Sequence, residues 1–551
     1  MRTAALPAHL SRWPRTAFPT ALGPATDALR GHLQGRIDAD GAVRDQCHSR
    51  VLESALLLAL LDRTRSEPAT RRHLAAFLAA GRESPDPLNR LLARAALHDR
   101  PDVTDLLDVD RFLGEAPDFT GPRKRALLDA VLLLLGTSPG PPSPAPAAAF
   151  SPRGLHSWAL VQVAAVKAVL AHAHGYSPLI DDRDLDLLRS TQQPGRVWEG
   201  NLLIHLFVLH ALALLPGHQR LLAQGIRTAL AYQRADGGIP FICDEDTWVT
   251  ATAGLALHTA GADTPALDAI ARRLLRLQHP DGGWSYSEHA HLTDADCTSA
   301  AVEVLRLTGP HSSRASIRRG CDALYALRGE DGGFPTYLAG APSEACMTAA
   351  AANALSTQGP SQHLTLDAAL DFLADRQLPD GSFPPDWSSS RQHTVFRATL
   401  AAARRPGTSA AERITRRAVH LVLNTQNSDG GWGRRDAAPS DALSTAYALI
   451  TLSAAHEDPG PAARGAAYLL TQQRPDGSIA SVSDSIGPRP FGFTVPVLTD
   501  AFTLLALGHL TRRLTAPSAA PRPRGPGPAP PAQRRPEPAM EVFNSRKEAA
   551  W

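Results

Sequence analysis

Six short landmarks recur in the second part of this 551-residue chain, and their period constrains the fold more than any other feature. They are QRADGG at 233–238, QHPDGGW at 278–284, LRGEDGGF at 327–334, RQLPDGSF at 376–383, QNSDGGW at 426–432 and QQRPDGS at 472–478. Their aspartates, Asp236, Asp281, Asp331, Asp380, Asp429 and Asp476, lie 45, 50, 49, 49 and 47 residues apart. An amphipathic run such as DAIARRLLRLQ precedes each landmark, and a second run such as TSAAVEVLRLTG follows some ten to fifteen residues later, both with helical spacing. Each unit therefore reads as helix, Gly-rich turn, helix. The second helices are alanine-rich and suit close packing, while the first carry more arginine. Six such pairs predict an all-α protein built on an (α/α)6 barrel with the small-residue helices inside. An open helical solenoid has the same period, so closure rests on the count of six.

Residues 1–215 lack the landmark but contain helical runs such as SRVLESALLLALLDR and GNLLIHLFVLHALALL. They predict a second, smaller helical domain over 36–215, after an N-terminal segment 1–35, with the barrel over 216–515. The proline-rich stretch 138–153 reads as a loop and the proline-rich tail 516–551 as disordered.

Charge narrows the function. Basic and acidic residues balance at 56 against 54, which argues against an electrostatic nucleic-acid binder. Only Lys124, Lys167 and Lys547 are lysines, so an anion bound between residues 168 and 546 has to be held by arginine, histidine or backbone N–H. The five cysteines lack the paired spacing of a zinc site or a disulfide framework, no apolar run reaches membrane-spanning length, and no signal-peptide core is present. A cytoplasmic protein without a membrane span is the expectation.

After the second landmark the chain reads SYSEHAHLTDADCTSAAVEVL, with Asp294 and Asp296 two apart just before an inner helix. In extended backbone both carboxyls face one side, toward the barrel mouth. Capping of the helix is the plainer reading of such residues. A rival pair, Asp244 and Asp246, follows the first landmark at a shorter distance and is expected to cap a helix or line the cavity.

Over 233–510 the chain resembles the class II terpene cyclases, which include squalene-hopene cyclases and bacterial diphosphate-retaining cyclases. The shared features are the QxxDGGW-type repeats and DADCT at 294–298, where the family has Asp-x-Asp-Asp-Thr. Cys297 stands at the fourth position in place of Asp, and only two repeats carry the full QxxDGGW. The resemblance implies that Asp296 protonates an alkene, with Asp294 beside it and Cys297 in the site, and that a helix before residue 36 packs on the barrel. His393, at an inner-helix entry, is a possible hydrogen-bond partner for the acid. Carbocation chemistry calls for aromatic faces and excluded water, which favours Trp248, Phe396, Phe491 and Phe493 for the cavity. Trp284, Phe334, Phe383 and Trp432, at the landmarks, are expected to stack between helices instead.

The implied substrate is farnesyl or geranylgeranyl diphosphate, converted into a bicyclic diphosphate of drimenyl or copalyl type, with squalene as the alternative. Arg391, Arg397 and Arg489 are the arginines expected to match the diphosphate, helped by Mg2+. No protein-held metal is expected. Protein prenyltransferase β-subunits share the barrel and bind zinc, and Cys297 and His393 invite that comparison, but the Asp-x-Cys spacing is absent. A non-catalytic helical scaffold is a further alternative. DDRDLD at 181–186 reads as a charged helix start rather than a metal-binding ionisation motif.

Overall fold

The computed structural model describes residues 10–515 apart from 100–112, 115–120, 138–149, 152–154, 176–179, 310, 357–362, 386, 483 and 485–490. Most of the loop 138–153, the whole tail 516–551 and Arg489 therefore lie outside the described residues. The described residues form 20 α-helices and no β-strand. They belong to one compact unit, Met1–Ala516.

The helices are α1 (Leu22–Gln34), α2 (Val51–Thr64), α3 (Pro68–Gly81), α4 (Pro87–Ala96), α5 (Gly121–Leu134), α6 (Ser157–Ala173), α7 (Asp182–Ser190), α8 (Leu202–Leu214) and α9 (Gln219–Leu230). There follow α10 (Asp246–Thr259), α11 (Thr264–Leu277), α12 (Ala295–Thr308), α13 (Arg314–Leu327), α14 (Ala345–Leu355) and α15 (His363–Arg376). The last are α16 (Gln392–Ala403), α17 (Ser409–Asn424), α18 (Ala442–Ala455), α19 (Gly460–Thr471) and α20 (Val497–Thr515).

Helices α10, α12, α14, α16, α18 and α20 pack each on the next, and α20 packs back on α10, so they close a ring. Their composition explains the inner position. Every residue of α14, ACMTAAAANAL, is buried, because alanine lets helix axes approach and leaves no polar side chain to hydrate. Helices α11, α13, α15, α17 and α19 lie outside, each against its ring neighbours, with most of their arginines other than Arg273 turned to solvent.

The landmark turns join the pairs. In each, the aspartate accepts a hydrogen bond from the N–H two residues on, as Asp281 does from Gly283 (3.0 Å) and Asp429 from Gly431 (3.0 Å). The landmark glutamine ties the turn to the next outer helix: Gln278 Nε2 donates to Gly282 O at 2.8 Å and to Ser316 O at 2.9 Å. Gly282 has φ +92°, and a Cβ there would lie 2.5 Å from the Arg319 carbonyl, so both conformation and contact demand glycine. As expected of them, Trp284 and Trp432 are fully buried between helices, their Nε1 donating to Leu274 O and Val422 O, each at 2.7 Å.

The sixth outer position differs from the sequence reading. At the last landmark Gln473 donates to Ala25 O of α1 (3.0 Å), and α1 packs against α20 and α10. The chain closes the circle at a turn outside the landmark series, Asp38-Ala39-Asp40-Gly41. There Gly41 has φ +86° and a Cβ would meet the Ala269 carbonyl of α11 at 2.2 Å. That turn lacks the glutamine and the second glycine, so the sequence pattern does not reveal it. The landmark at 233–238 instead abuts α3, with Gly237 against His73 O, and α9 packs on α8. Residues 216–245 thus pack with the N-terminal helices. Those helices form their own cluster, α2 on α3, α4 and α8, and α6 on α5, α7 and α8.

Candidate active site

A cavity of about 320 Å3 opens where the N-terminal helices meet one end of the ring. The N-terminal side supplies Arg50, residues of α5 and α6, and Asn201. The ring side supplies the segment entering α10, the Asp294–Cys297 run, the 336–347 segment, Trp387, Phe491 and Phe493. The walls are largely apolar, which excludes water and strengthens every electrostatic contact inside.

The Asp294–Cys297 run both caps its helix and lines the cavity. Asp294 caps α12, its Oδ1 accepting from Cys297 N–H at 2.7 Å, and it also lines the cavity. Asp441 makes the equivalent cap on α18, accepting from Ser444 N–H at 2.8 Å, but does not line the cavity. Asp296, in the first turn of α12, is 8% exposed and its Oδ1 accepts from Arg397 Nη1 at 2.7 Å. Arg397 comes from α16 and is itself buried.

A third carboxyl joins them. Glu245, next to α10, is buried, lines the cavity and has no hydrogen-bond partner for Oε2 among the described residues. Burial, then the negative charges of Asp294 and Asp296, push Glu245 well above the ordinary carboxyl range. Burial also raises Asp294 to about 7, against the hydrogen bonds from Cys297. Burial thus favours the neutral forms of Glu245 and Asp294, beside the Asp296 carboxyl that Arg397 engages. Burial favours a held proton, while a guanidinium against a carboxyl favours the anion. Those are the opposed demands on a carboxylic acid that must both hold a proton and surrender it to a weak base.

The Asp294 shift has a sign that can be checked. Its folded pKa lies above the unfolded value, so the native state binds more protons than the unfolded state between about pH 4 and pH 7. Stability from this group falls as pH rises through that window, by at most about 1.4 kcal/mol per pH unit. Asp294→Asn keeps the cap and cannot ionise. The stability difference, variant minus wild type, is expected to grow from pH 5 to pH 7 in urea titrations, and a flat difference would refute the buried neutral Asp294.

The other expected residues divide. Cys297, Trp248, Phe491 and Phe493 line the cavity. Phe396 does not: it stacks on Tyr447 at 5.2 Å beneath it. Asp246 turns away to an ion pair with Arg273 at 2.7 Å and accepts from Glu288 N–H at 3.0 Å, so its role is structural. The bond to the acid expected of His393 is made by Arg397, one helical turn on. His393 Nδ1 instead lies 3.4 Å from Cys346 Sγ, and its ring packs among Phe396, Tyr447 and Phe502. Arg391 is on the surface, paired with Asp436 at 2.7 Å and outside the cavity. Arg397 does not line the cavity and is bonded to Asp296 behind its wall.

The cations that sequence reasoning missed are Arg50, Arg123 and Lys124 on the cavity wall. Arg50 is engaged by Glu53 (Nε to Oε2 2.6 Å), donates to Phe491 O at 3.2 Å and lies over Phe241 at 4.3 Å, so it fixes the 491–493 segment. Arg123 and Lys124 open α5 in GPRKRALL, a basic run before an apolar helix in a chain with three lysines. That scarcity was the available signal. Trp158, Phe241, Tyr286, Tyr337 and Trp387 were also missed, since each comes from a segment without periodicity or outside the landmarks. Among the described residues no cluster of three or more His, Cys, Asp or Glu side chains forms a metal cage, and no helix is long and apolar enough to cross a membrane. All five cysteines are buried and unbridged.

Known proteins resemble this chain in sequence and in fold. Residues 338–512 match the family model of the squalene-hopene cyclase C-terminal domain. The chain is 39% identical to a drimenyl diphosphate synthase of Streptantibioticus cattleyicolor, covering 93% of this chain and 99% of that one. It is 38% identical to a drimenyl diphosphate synthase of Streptomyces showdoensis, covering 90% and 97% respectively. Among solved structures, ent-copalyl diphosphate synthase from Streptomyces platensis superposes with a TM-score of 0.61 over 89% of this chain and all (100%) of that one, at 19% identity. That is a likeness of fold.

Proposed function

Since this chain belongs to the class II terpene cyclases, enzymes that start cyclisation by protonating their substrate, we propose that it folds farnesyl diphosphate in this cavity and converts it into a drimenyl-type bicyclic diphosphate. The observation that carries the reading is the cavity-lining Asp296, held by Arg397 at 2.7 Å, in an aromatic-lined cavity that also carries Arg123 and Lys124. The drimenyl diphosphate synthases similar to this chain over nearly its whole length support the choice of product.

Asp296 is the proton donor in this reading. Arg397 holds Oδ1, and the proton rides on Oδ2. The terminal alkene takes that proton with its π electron pair, a C–H bond forms, and a tertiary cation remains for the next alkene to close on. The developing carboxylate is met by a guanidinium already in place, so stabilisation is greater in the transition state than in the ground state. Trp248, Phe491 and Phe493 offer π faces to the migrating positive charge. Loss of a proton ends the sequence, and the diphosphate stays on the product.

Arg123 and Lys124 hold the diphosphate, in place of the Arg391 and Arg397 expected from sequence. Burial lowers Arg123 from the ordinary guanidinium value, which marks it as partly desolvated even before a ligand arrives. A cationic wall has no purpose for squalene, which carries no charge. Mg2+, if bound, would neutralise phosphate oxygens beside Arg123 and Lys124. Lys124→Ala is expected to raise KM for the diphosphate about tenfold with kcat within about twofold, since a charge-assisted bond contributes roughly 1.5–3 kcal/mol. EDTA should abolish turnover and added Mg2+ restore it, as initial rates will record.

The closed ring and its outer helices constitute an (α/α)6 barrel in this reading, with α1 as its sixth outer helix and residues 43–245 as an inserted smaller helical domain. Incubation with farnesyl diphosphate, geranylgeranyl diphosphate and squalene in turn, with mass spectrometry of products before and after dephosphorylation, tests the whole. A bicyclic fifteen-carbon diphosphate is expected. Turnover of squalene alone would overturn the substrate, and no turnover of any prenyl chain would overturn the reading.

A further inference from the structure

The residue equivalent to Asp294 in the next repeat is Glu344. Both sit at the N-cap of an inner helix, and both fix their backbone to the preceding landmark: Asp294 N–H donates to Trp284 O and Glu344 N–H to Phe334 O, each at 3.0 Å. The shorter side chain turns back to cap its own helix, as Asp294 and Asp441 do. The Glu344 side chain makes no such cap. One methylene longer, it reaches outward along the cavity wall, where Oε2 accepts from Trp387 Nε1 at 2.6 Å and Oε1 accepts from Thr336 N–H at 3.1 Å and from the Thr336 hydroxyl.

Those two partners link separate parts of the site. Trp387 belongs to a wall of rings facing the cavity: its centroid is 6.1 Å from that of Tyr337, which lies 5.7 Å from Trp158. Thr336 is the neighbour of Tyr337, and its carbonyl accepts from Ala295 N–H at 2.8 Å. Ala295 stands between the two aspartates of the acid motif. One carboxylate thus ties the indole, the segment bearing the phenol ring, and the backbone of the proton donor into a single frame.

We propose that Glu344 is a positioning residue that sets the distance between the proton donor and the aromatic wall, and thereby decides how far the cyclisation runs before the cation is lost. The proposal rests on the cyclase reading above. A cation formed at Asp296 moves along the chain as rings close, and each new centre needs a π face at the right place. The Trp387 N–H bonded to a carboxylate keeps the indole face turned to the cavity and leaves its ring more electron-rich. A wall displaced by about 1 Å loses on the order of 10²-fold in rate for steps that depend on it. The first protonation does not depend on it. Premature proton loss from a monocyclic cation then competes.

The test is product analysis of Glu344→Gln, Glu344→Ala and Trp387→Phe with farnesyl diphosphate, each read per folded enzyme alongside the wild type. Glu344→Gln keeps the size but cannot accept on both arms, so it isolates the hydrogen bonds from the fold. The expected result is a native melting temperature within a few degrees for Glu344→Gln and a shift from bicyclic toward monocyclic diphosphates. Trp387→Phe should shift products the same way. A Glu344→Gln enzyme that makes only the wild-type product at the wild-type kcat overturns the proposal. So does one in which less folded protein is recovered but the product ratio per folded molecule is unchanged, because that is a structural role alone. If the wild type itself leaves farnesyl diphosphate untouched, the cyclase substrate has failed rather than Glu344.

Discussion

Asp296→Asn is expected to abolish turnover, lowering kcat by about 10²–10⁴-fold or more, because it removes the proton and leaves the shape. Steady-state product formation by mass spectrometry will show it. From sequence alone this substitution should leave stability nearly untouched, and the structure revises that. Arg397 is buried and its guanidinium donates to Asp296 Oδ1. An asparagine oxygen can still accept that bond. A hydrogen bond to a charged group contributes roughly 1.5–3 kcal/mol, and an amide that retains it should lose less than that. A measurable fall in melting temperature with the native helical content intact is the expected accompaniment. Activity near that of wild type would remove Asp296 from its role.

Arg397→Met should have the second largest effect. The acid keeps its proton but loses the group that stabilises its conjugate base, so kcat is expected to fall about 10²–10³-fold, the cost typical of one preorganised charge-stabilising donor. Arg397→Lys restores charge without the planar fork and should recover only part of the rate. A structural role alone would lower the yield of folded enzyme without changing kcat per folded molecule. If Arg397→Met cyclised at the wild-type rate, the guanidinium would not be the source of the acid's strength, whatever the identity of the donor.

Much of the helical architecture is legible in the sequence because its signals are local and repeated. The Asp-Gly turns recur, each pins one helix start to the next outer helix, and alanine-rich runs alternate with arginine-bearing ones. The end of the count is not legible. Gly41 performs the same close approach as Gly282 but in a turn without the flanking glutamine, more than 200 residues before its partner Ala269 in α11, so no period links them. Asp236 has the full local motif but serves a contact with α3. A landmark encodes a turn against a helix, and says nothing of which helix.

The site divides in the same way. Asp294 and Asp296 are two residues apart on one helix start, and their spacing can be read directly. Arg397 stands out in the sequence, but for a different partner, because the ring brings α16 beside α12 across 101 residues of chain. Lys124 and Arg123 line the same cavity from α5, a helix that carries no repeat. Glu245 sits between the two aspartates of the rival pair and carries no pattern of its own, although its side chain, and not theirs, reaches the cavity. Asp244 and Asp246 form the pattern, and the functional contact lies in the residue that interrupts it.

In the proposed reaction this protein begins cyclisation by adding a proton and ends it with the diphosphate still attached. Turnover of farnesyl diphosphate in deuterium oxide, followed by mass and NMR analysis of the intact and dephosphorylated product and by assay for inorganic diphosphate, tests both halves together. The predicted result is one deuterium on the carbon of the former terminal alkene, a bicyclic skeleton and no diphosphate released. A product without deuterium at that carbon, or one formed with stoichiometric release of inorganic diphosphate, would contradict it.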